Sequence, residues 1–269
     1  YYNFETGAAE LAAKANRFLG QGWDGRAMKA GKPRVAASGR VYLDRRLWEG
    51  WASLRYLIPA SDRFSVLPMD SVPPQVGGAG EVMVICWPYA SYRLALSLLP
   101  EGSVISVGEG SKERGDLEPE ARFLYITFVG KRGQEVPRNI GQRFEQGIIL
   151  TGYSSQSLSA TKLAVRLYWQ AAVPLEESYT AFVHVRRGEQ MIGQDDAPPA
   201  KGYYPTNYWR SGDTVIDEHV ITLSAPAIPQ QDEIWVGMYR LETQQRLQLV
   251  NDANETIGDH VVLPLSDGW

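Results

Sequence analysis

Hydrophobic and polar positions in the first half of the chain alternate between helical and strand-like spacing. Apolar residues recur at helical intervals over Thr6–Leu19, and glycines follow at once. The apolar segment Arg40–Asp44, RVYLD, predicts a short strand, and Asp44 can cap a helix over the next residues, RRLWEGWASLRYLI. A strand followed by a capped helix is the repeating unit of an α/β fold.

The same pattern returns before residue 135. Further strands are predicted for the apolar runs RFSVLP, EVMVICW, SVISV and RFLYITFV. Pro88 can open a helix over YASYRLALSLL, which Pro100 ends. Buried strands that alternate with helices are typical of a largely parallel sheet covered on both faces. We therefore predict a small Rossmann-like α/β domain over residues 1–135.

The pattern changes after a polar, glycine-rich segment, in which we predict a linker at residues 136–144. In Lys162–Ala171 apolar residues alternate with polar ones, which indicates a strand with one buried face. Similar runs follow in YTAFVHVRR, TVIDEHVITL, DEIWVGMYRL and RLQLV. They predict an antiparallel β-sandwich, jelly-roll or immunoglobulin-like, over residues 145–269. The predicted fold class is α/β plus all-β.

Composition and charge exclude some partners. The 269 residues include 27 Lys and Arg against 31 Asp and Glu, a net charge of -4, which gives no electrostatic reason to expect nucleic acid or anionic lipid as a partner. The single cysteine, Cys86, lies in the apolar run VMVICW and is expected to be a buried hydrophobic side chain.

The ends of the chain bear on its context. No stretch reaches the roughly 20 continuous apolar residues of a membrane-spanning helix, and the amino terminus lacks the pattern of a signal peptide. Because the chain starts at Tyr1 without an initiator methionine, we expect it to be part of a longer protein.

One loop, QDDAPPAKGYYPTNYWRSGD, concentrates the candidate chemistry. Its paired carboxylates, Asp195 and Asp196, suit general acid and base catalysis or calcium ligation, with His219 as a third metal candidate. Adjacent residues of a strand point to opposite faces, which argues against both carboxylates acting on one atom. The alternative is that they accept hydrogen bonds from turn amides. No complete catalytic motif occurs, so no catalytic residue is assigned.

The same loop carries four aromatic residues, Tyr203, Tyr204, Tyr208 and Trp209. Exposed rings beside polar side chains can stack against sugar rings, which makes these residues ligand-binding candidates together with Asp195 and Asp196. Rings folded inward would instead close the end of the sandwich. Solvent exposure distinguishes the two alternatives.

Two groups of segments resemble a known family. ELAAKANRFLG, VYLDRRLWEGWASLRYL and ICWPYASYRLALSLLPEG are similar to the region after the last membrane helix in bacterial relatives of the polyprenyl-phosphate-dependent, dolichyl-phosphate-mannose-like glycosyltransferases. The second half adds the pattern D..P..G.YPT..W..G....D.H, which is similar to the carboxy-terminal segments of such proteins. The resemblance spans most of the chain.

The resemblance implies that the chain is the extracytoplasmic C-terminal part of a GT-C-type membrane enzyme, at the outer face of a bacterial membrane and beside its own transmembrane domain. It also implies that the catalytic acid and the polyprenyl-phosphate sugar donor belong to the membrane part, and we expect no cofactor in this fragment. The leading hypothesis is a non-catalytic module that binds glycan or positions the acceptor. The alternatives are a free-standing carbohydrate-binding or surface-interaction protein, and a metal-dependent enzyme centred on Asp195, Asp196 and His219.

Overall fold

The computed structural model describes residues 6–23, 25, 39–71, 80–114 and 119–265. Within these residues the chain forms two compact units. The first contains the described residues up to Ser103 together with Val107–Arg132, and the second contains Val104–Ser106 and the described residues from Gly133 onward. Strand β8, Gln142–Phe144, lies in the segment predicted to be a linker. The predicted domain limits at residues 135 and 145 stay a prediction.

The first unit combines helices with short strands. Its elements are α1 (Thr6–Leu19), β1 (Arg40–Asp44), α2 (Arg45–Gly50), α3 (Leu54–Leu57), β2 (Phe64–Leu67), β3 (Glu81–Cys86), a 3-10 helix (Arg93–Leu98), β4 (Ser103–Glu109), β5 (Lys112–Glu113), β6 (Arg122–Phe123) and β7 (Ile126–Arg132). β1 runs parallel to β2 and to β3, whereas β7 runs antiparallel to β3. The buried face of α1 packs with β1 and β3 in one apolar core that includes Leu11, Leu43 and Ile85.

The second unit is built from antiparallel strands. They are β8, β9 (Ile148–Ser159), β10 (Lys162–Ala171), β11 (Thr180–Arg187), β12 (Gln190–Ala197), β13 (Thr214–Thr222), β14 (Asp232–Tyr239), β15 (Leu249–Val250), β16 (Thr256–Gly258) and β17 (Val261–Pro264). β16, β15, β8, β9, β10 and β13 pair in that order, and Val104 and Ile105 of β4 add to β13 in parallel. The second sheet has the order β12-β11-β14-β17. Leu163, Val165, Leu167 and Trp169 of β10 are buried as their period predicts, and Tyr168, on the opposite face, is buried as well.

The predicted fold class is wrong. In place of a Rossmann-like α/β domain followed by a jelly-roll or immunoglobulin-like sandwich, the described residues are mostly β, with 43% in strands and 17% in helices. The helix predicted before Pro100 is only the 3-10 helix Arg93–Leu98, and the helix predicted after Asp44 is the two short helices α2 and α3. Strand β7 is antiparallel to β3, where a Rossmann-like sheet requires parallel neighbours.

Local sequence explains why these helices are short. α2 ends at Gly50, because glycine loses more backbone entropy on entering a helix than any other residue. Trp51, which follows it, has an extended backbone with φ -122° and ψ 92°. Short apolar runs also fit a buried strand, a buried helix or a turn equally well by period alone. Among the described residues, none of the helices has the length and hydrophobicity needed to cross a bilayer.

Candidate functional site

The loop between β12 and β13 is shaped by backbone turns and by a hydrogen bond to β13. It contains two short 3-10 helices, Pro199–Gly202 and Thr206–Tyr208. Ala200 and Lys201 adopt left-handed backbone angles, with φ 53° and 58°, which cost free energy for residues that carry a Cβ. Asp217 stabilises this turn, because its Oδ1 accepts a hydrogen bond of 3.1 Å from the Ala200 amide.

Two of the four aromatic residues of this loop are buried. Tyr204 is 0% exposed and Trp209 is 4% exposed, while Tyr203 and Tyr208 are half-buried. Trp209 Nε1 donates to the Tyr204 carbonyl at 2.9 Å, and burial raises the pKa of Tyr204 to about 12. Buried rings present no face to a ligand, so Tyr204 and Trp209 are packing residues and do not form a sugar platform.

Asp195 and Asp196 point in opposite directions from β12. Asp195 lies opposite Val183 and its Oδ2 is 2.9 Å from His219 Nδ1, whereas Asp196 lies opposite Phe182 and its Oδ1 is 3.1 Å from His184 Nε2. The predicted metal candidates, Asp195, Asp196 and His219, therefore do not converge. No group of three or more His, Cys, Asp or Glu side chains in the described part of the chain is arranged to hold a metal ion.

His219 is an internal cation. Its Nδ1 contacts Asp195 and its Nε2 contacts Asp217, both at 2.9 Å, and the ring is fully buried. Burial alone favours the neutral ring, but the Asp217 charge and the hydrogen bonds to both carboxylates outweigh it and raise the pKa of His219 to about 10. The hydrogen bond to His219 in turn lowers the pKa of Asp195. A doubly protonated imidazole has no lone pair for a metal, so His219 in this cluster is a hydrogen-bond donor to Asp195 and Asp217.

A cleft in the first unit provides a different candidate site, which the sequence reasoning missed. It lies where the carboxyl ends of β1 and β3 meet, and it has a volume of about 360 Å³. We call it the aromatic cleft and define it by Arg46, Trp51, Trp87, Tyr89, Glu113 and Arg122. The carboxyl ends of parallel strands are a frequent place for ligands. In the sequence, the Trp-Pro-Tyr triplet directly after β3 is the feature that indicates this site.

Aromatic rings are accessible in this cleft. Trp87 is 38% exposed and Tyr89 is 54% exposed, and their rings meet edge to face with centroids 6.1 Å apart. The Arg122 guanidinium lies 5.9 Å from the centre of the Tyr89 ring. The cleft therefore combines apolar ring surface with hydrogen-bond donors, a combination that suits the apolar faces and hydroxyl groups of a sugar.

Asp44 organises the wall of the aromatic cleft. This buried carboxylate caps α2 through the Arg46 amide at 3.0 Å and binds the Arg46 guanidinium in a bidentate pair at 3.0 and 2.9 Å. Its Oδ2 also accepts a 3.1 Å hydrogen bond from the Trp87 amide. Both oxygens are thus engaged, so Asp44 fixes the positions of Arg46 and Trp87.

Comparison with known proteins does not assign a family. No protein-family model matches the chain, and no curated protein matches it. Among solved structures, a glycosyl hydrolase family 2 member from Bacteroides cellulosilyticus has 8% sequence identity and a TM-score of 0.28, covering 67% of this chain and 25% of that one. The beta-glucuronidase of Bacteroides uniformis has 11% identity and a TM-score of 0.24, covering 48% of this chain and 16% of that one. The chain thus spans a quarter or less of the length of these two proteins, and similarities this low do not establish a shared fold.

Replacement of Trp209 tests the inward packing of the loop. We expect Trp209→Ala to lower the free energy of unfolding by about 3–5 kcal/mol, because it empties a buried aromatic site. Tyr208→Ala, in the same loop but half-buried, is the matched control and should cost clearly less. Urea denaturation measures both, and equal losses would contradict the assignment of Trp209 as a packing residue.

The charge on His219 predicts a pH dependence. Its folded-state pKa is raised, so its contribution to stability is complete below the unfolded value of about 6.5 and is lost as pH rises through about 10. The deficit in unfolding free energy of His219→Gln should therefore shrink steadily between pH 7 and pH 10. Urea denaturation at several pH values measures it. His184→Gln is the control, because burial lowers the pKa of His184 and its deficit should stay constant over that range.

Proposed function

We propose that the chain is a non-catalytic glycan-binding module and that the aromatic cleft takes the sugar. The observation that carries this proposal is the pairing of accessible Trp87 and Tyr89 rings with the guanidinium groups of Arg46 and Arg122 in one preformed cavity. Its volume lies within the usual range of small-ligand sites.

The chemistry of the cleft supports a sugar ligand. The rings of Trp87 and Tyr89 can stack on the apolar C–H face of a pyranose, and arginine N–H groups can donate to its hydroxyl oxygens. Because Asp44 already holds Arg46 and the Trp87 backbone in place, little ordering is needed when the ligand arrives. Both oxygens of Asp44 are engaged in this positioning, so Asp44 affects the ligand through Arg46 and Trp87.

The sequence resemblance supports a particular setting for this module. We propose that it is the extracytoplasmic C-terminal part of a GT-C-type membrane glycosyltransferase, in which it binds or positions the glycan acceptor while the membrane part uses the polyprenyl-phosphate donor. A free-standing carbohydrate-binding protein is the alternative setting. Membrane fractionation of the full-length gene product separates them: recovery with the membranes supports the first, and recovery in the supernatant supports the second.

Variants of the aromatic cleft test the proposed function. We expect Trp87→Ala and Tyr89→Ala each to weaken glycan binding by about tenfold or more, because each removes a stacking surface. A glycan array identifies the ligand, and calorimetry with that ligand measures the loss.

The control for these variants is Tyr56→Ala, which removes an 89% exposed tyrosine of the same unit that does not line the cleft. Arg122→Ala should also weaken glycan binding, because it removes hydrogen-bond donors from the cleft. Its control is Arg55→Ala, since Arg55 is exposed and outside the cleft. Melting curves should show that all these variants remain folded. Failure of the intact chain to bind any glycan would end the proposal.

A further inference from the structure

A groove in the second unit runs along the open edge of the four-stranded sheet. β17 is the last strand of this sheet and pairs only with β14 among the described strands. The groove beside it has a volume of about 470 Å³. We call it the edge groove and define it by Arg138, Asn139, Gln142, Tyr153 and Val261–Pro264.

Backbone groups of β17 face this groove. Pro264 pairs with Glu233 of β14 but has no N–H to give, which places it at a position whose polar groups point away from β14. Its carbonyl accepts a 3.1 Å hydrogen bond from the Tyr153 hydroxyl. Positions two apart in a strand share one side, and the register between β14 and β17 has no shift. The N–H and C=O of Val262 therefore also point away from β14, along the groove.

Arg138 is a preoriented cation in the same groove. It adopts a left-handed backbone with φ 47°, its guanidinium lies 5.2 Å from the centre of the buried Tyr153 ring, and its Nη1 donates to the Tyr153 hydroxyl at 2.8 Å. Within the described residues no carboxylate forms an ion pair with Arg138. The remaining donors of its planar fork match the geometry of a carboxylate.

We propose that the edge groove binds an extended acidic peptide, which pairs with β17 as an additional strand and places a carboxylate on Arg138. The N–H and C=O groups of Val262 match the backbone of an extended peptide, which favours a peptide over a sugar. The guanidinium of Arg138 selects an acidic side chain or a terminal carboxylate. This site is separate from the aromatic cleft in its residues and in the class of ligand it takes, so it does not depend on the proposed glycan binding.

The test uses the full chain and two labelled peptides. The first is the heptapeptide Thr-Val-Glu-Val-Thr-Val-Glu, and the second has lysine in place of both glutamates. Fluorescence anisotropy should show the acidic peptide binding about tenfold more tightly than the basic one, since a charge-assisted hydrogen bond is gained only with the first. Hydrogen exchange should show protection of the Val262 amide when the acidic peptide is bound.

Variants on the two sides of the groove separate the contribution of the Arg138 charge from that of the β17 backbone. Arg138→Gln should weaken binding of the acidic peptide by about tenfold, whereas Arg143→Gln, at an exposed arginine outside the groove, should leave it unchanged. Val262→Pro removes the edge N–H without removing a donor to β14, and it should abolish binding. If melting curves show that Val262→Pro is not folded, the affinity of Arg138→Gln for the acidic peptide is the deciding measurement.

Three results would overturn the proposal. They are equal affinity for the acidic and basic peptides, unchanged affinity in Arg138→Gln, and displacement of the peptide signal by an oligosaccharide of glucuronic acid that itself protects Val262. The last result would make the groove a site for acidic sugar.

Discussion

His219 carries its positive charge inside the second unit, shielded from solvent, and the carboxylates of Asp217 and Asp195 replace the solvation that it loses there. Asp217 also accepts the Ala200 amide, so one buried carboxylate joins the cation of β13 to the strained left-handed turn after β12. Removal of one partner from such a cluster leaves an uncompensated buried charge, which costs far more than the intact cluster contributes. The start of the loop, from Asp195 to Ala200, is therefore tied to β13 through this arrangement.

Buried aromatic residues and accessible ones have different roles in this chain. Tyr204 and Trp209 are enclosed and hydrogen-bonded to each other through the backbone, which makes them packing residues. Trp87 and Tyr89 keep part of their rings in solvent beside Arg122, although their local sequence is far less conspicuous. A functional aromatic site is therefore recognised by its exposed ring surface together with neighbouring donors, and a concentration of aromatic letters in one loop is a weaker indication.

A buried aspartate organises each unit in a related way. Asp44 ends β1, caps α2 and holds Arg46 and Trp87, just as Asp217 holds His219 and the Ala200 amide. The capping role of Asp44 follows from its place before a predicted helix, and the structure has that hydrogen bond. Its contact with Trp87 spans 43 residues and has no local signal. The opposite orientations of Asp195 and Asp196 were predictable because strand side chains alternate, but their histidine partners come from other strands.

By itself, the sequence determined the strands with alternating residues, such as β10 and β13, because a period of two is a local property of the chain. It also determined the start of α1 and the cap at Asp44. Tertiary structure alone decided that the apolar run after Pro88 is a short 3-10 helix, that β7 is antiparallel to β3, and that Trp209 is buried while Trp87 is accessible. Burial and strand direction depend on residues far apart in the chain, and a local pattern carries no record of which distant residues will meet.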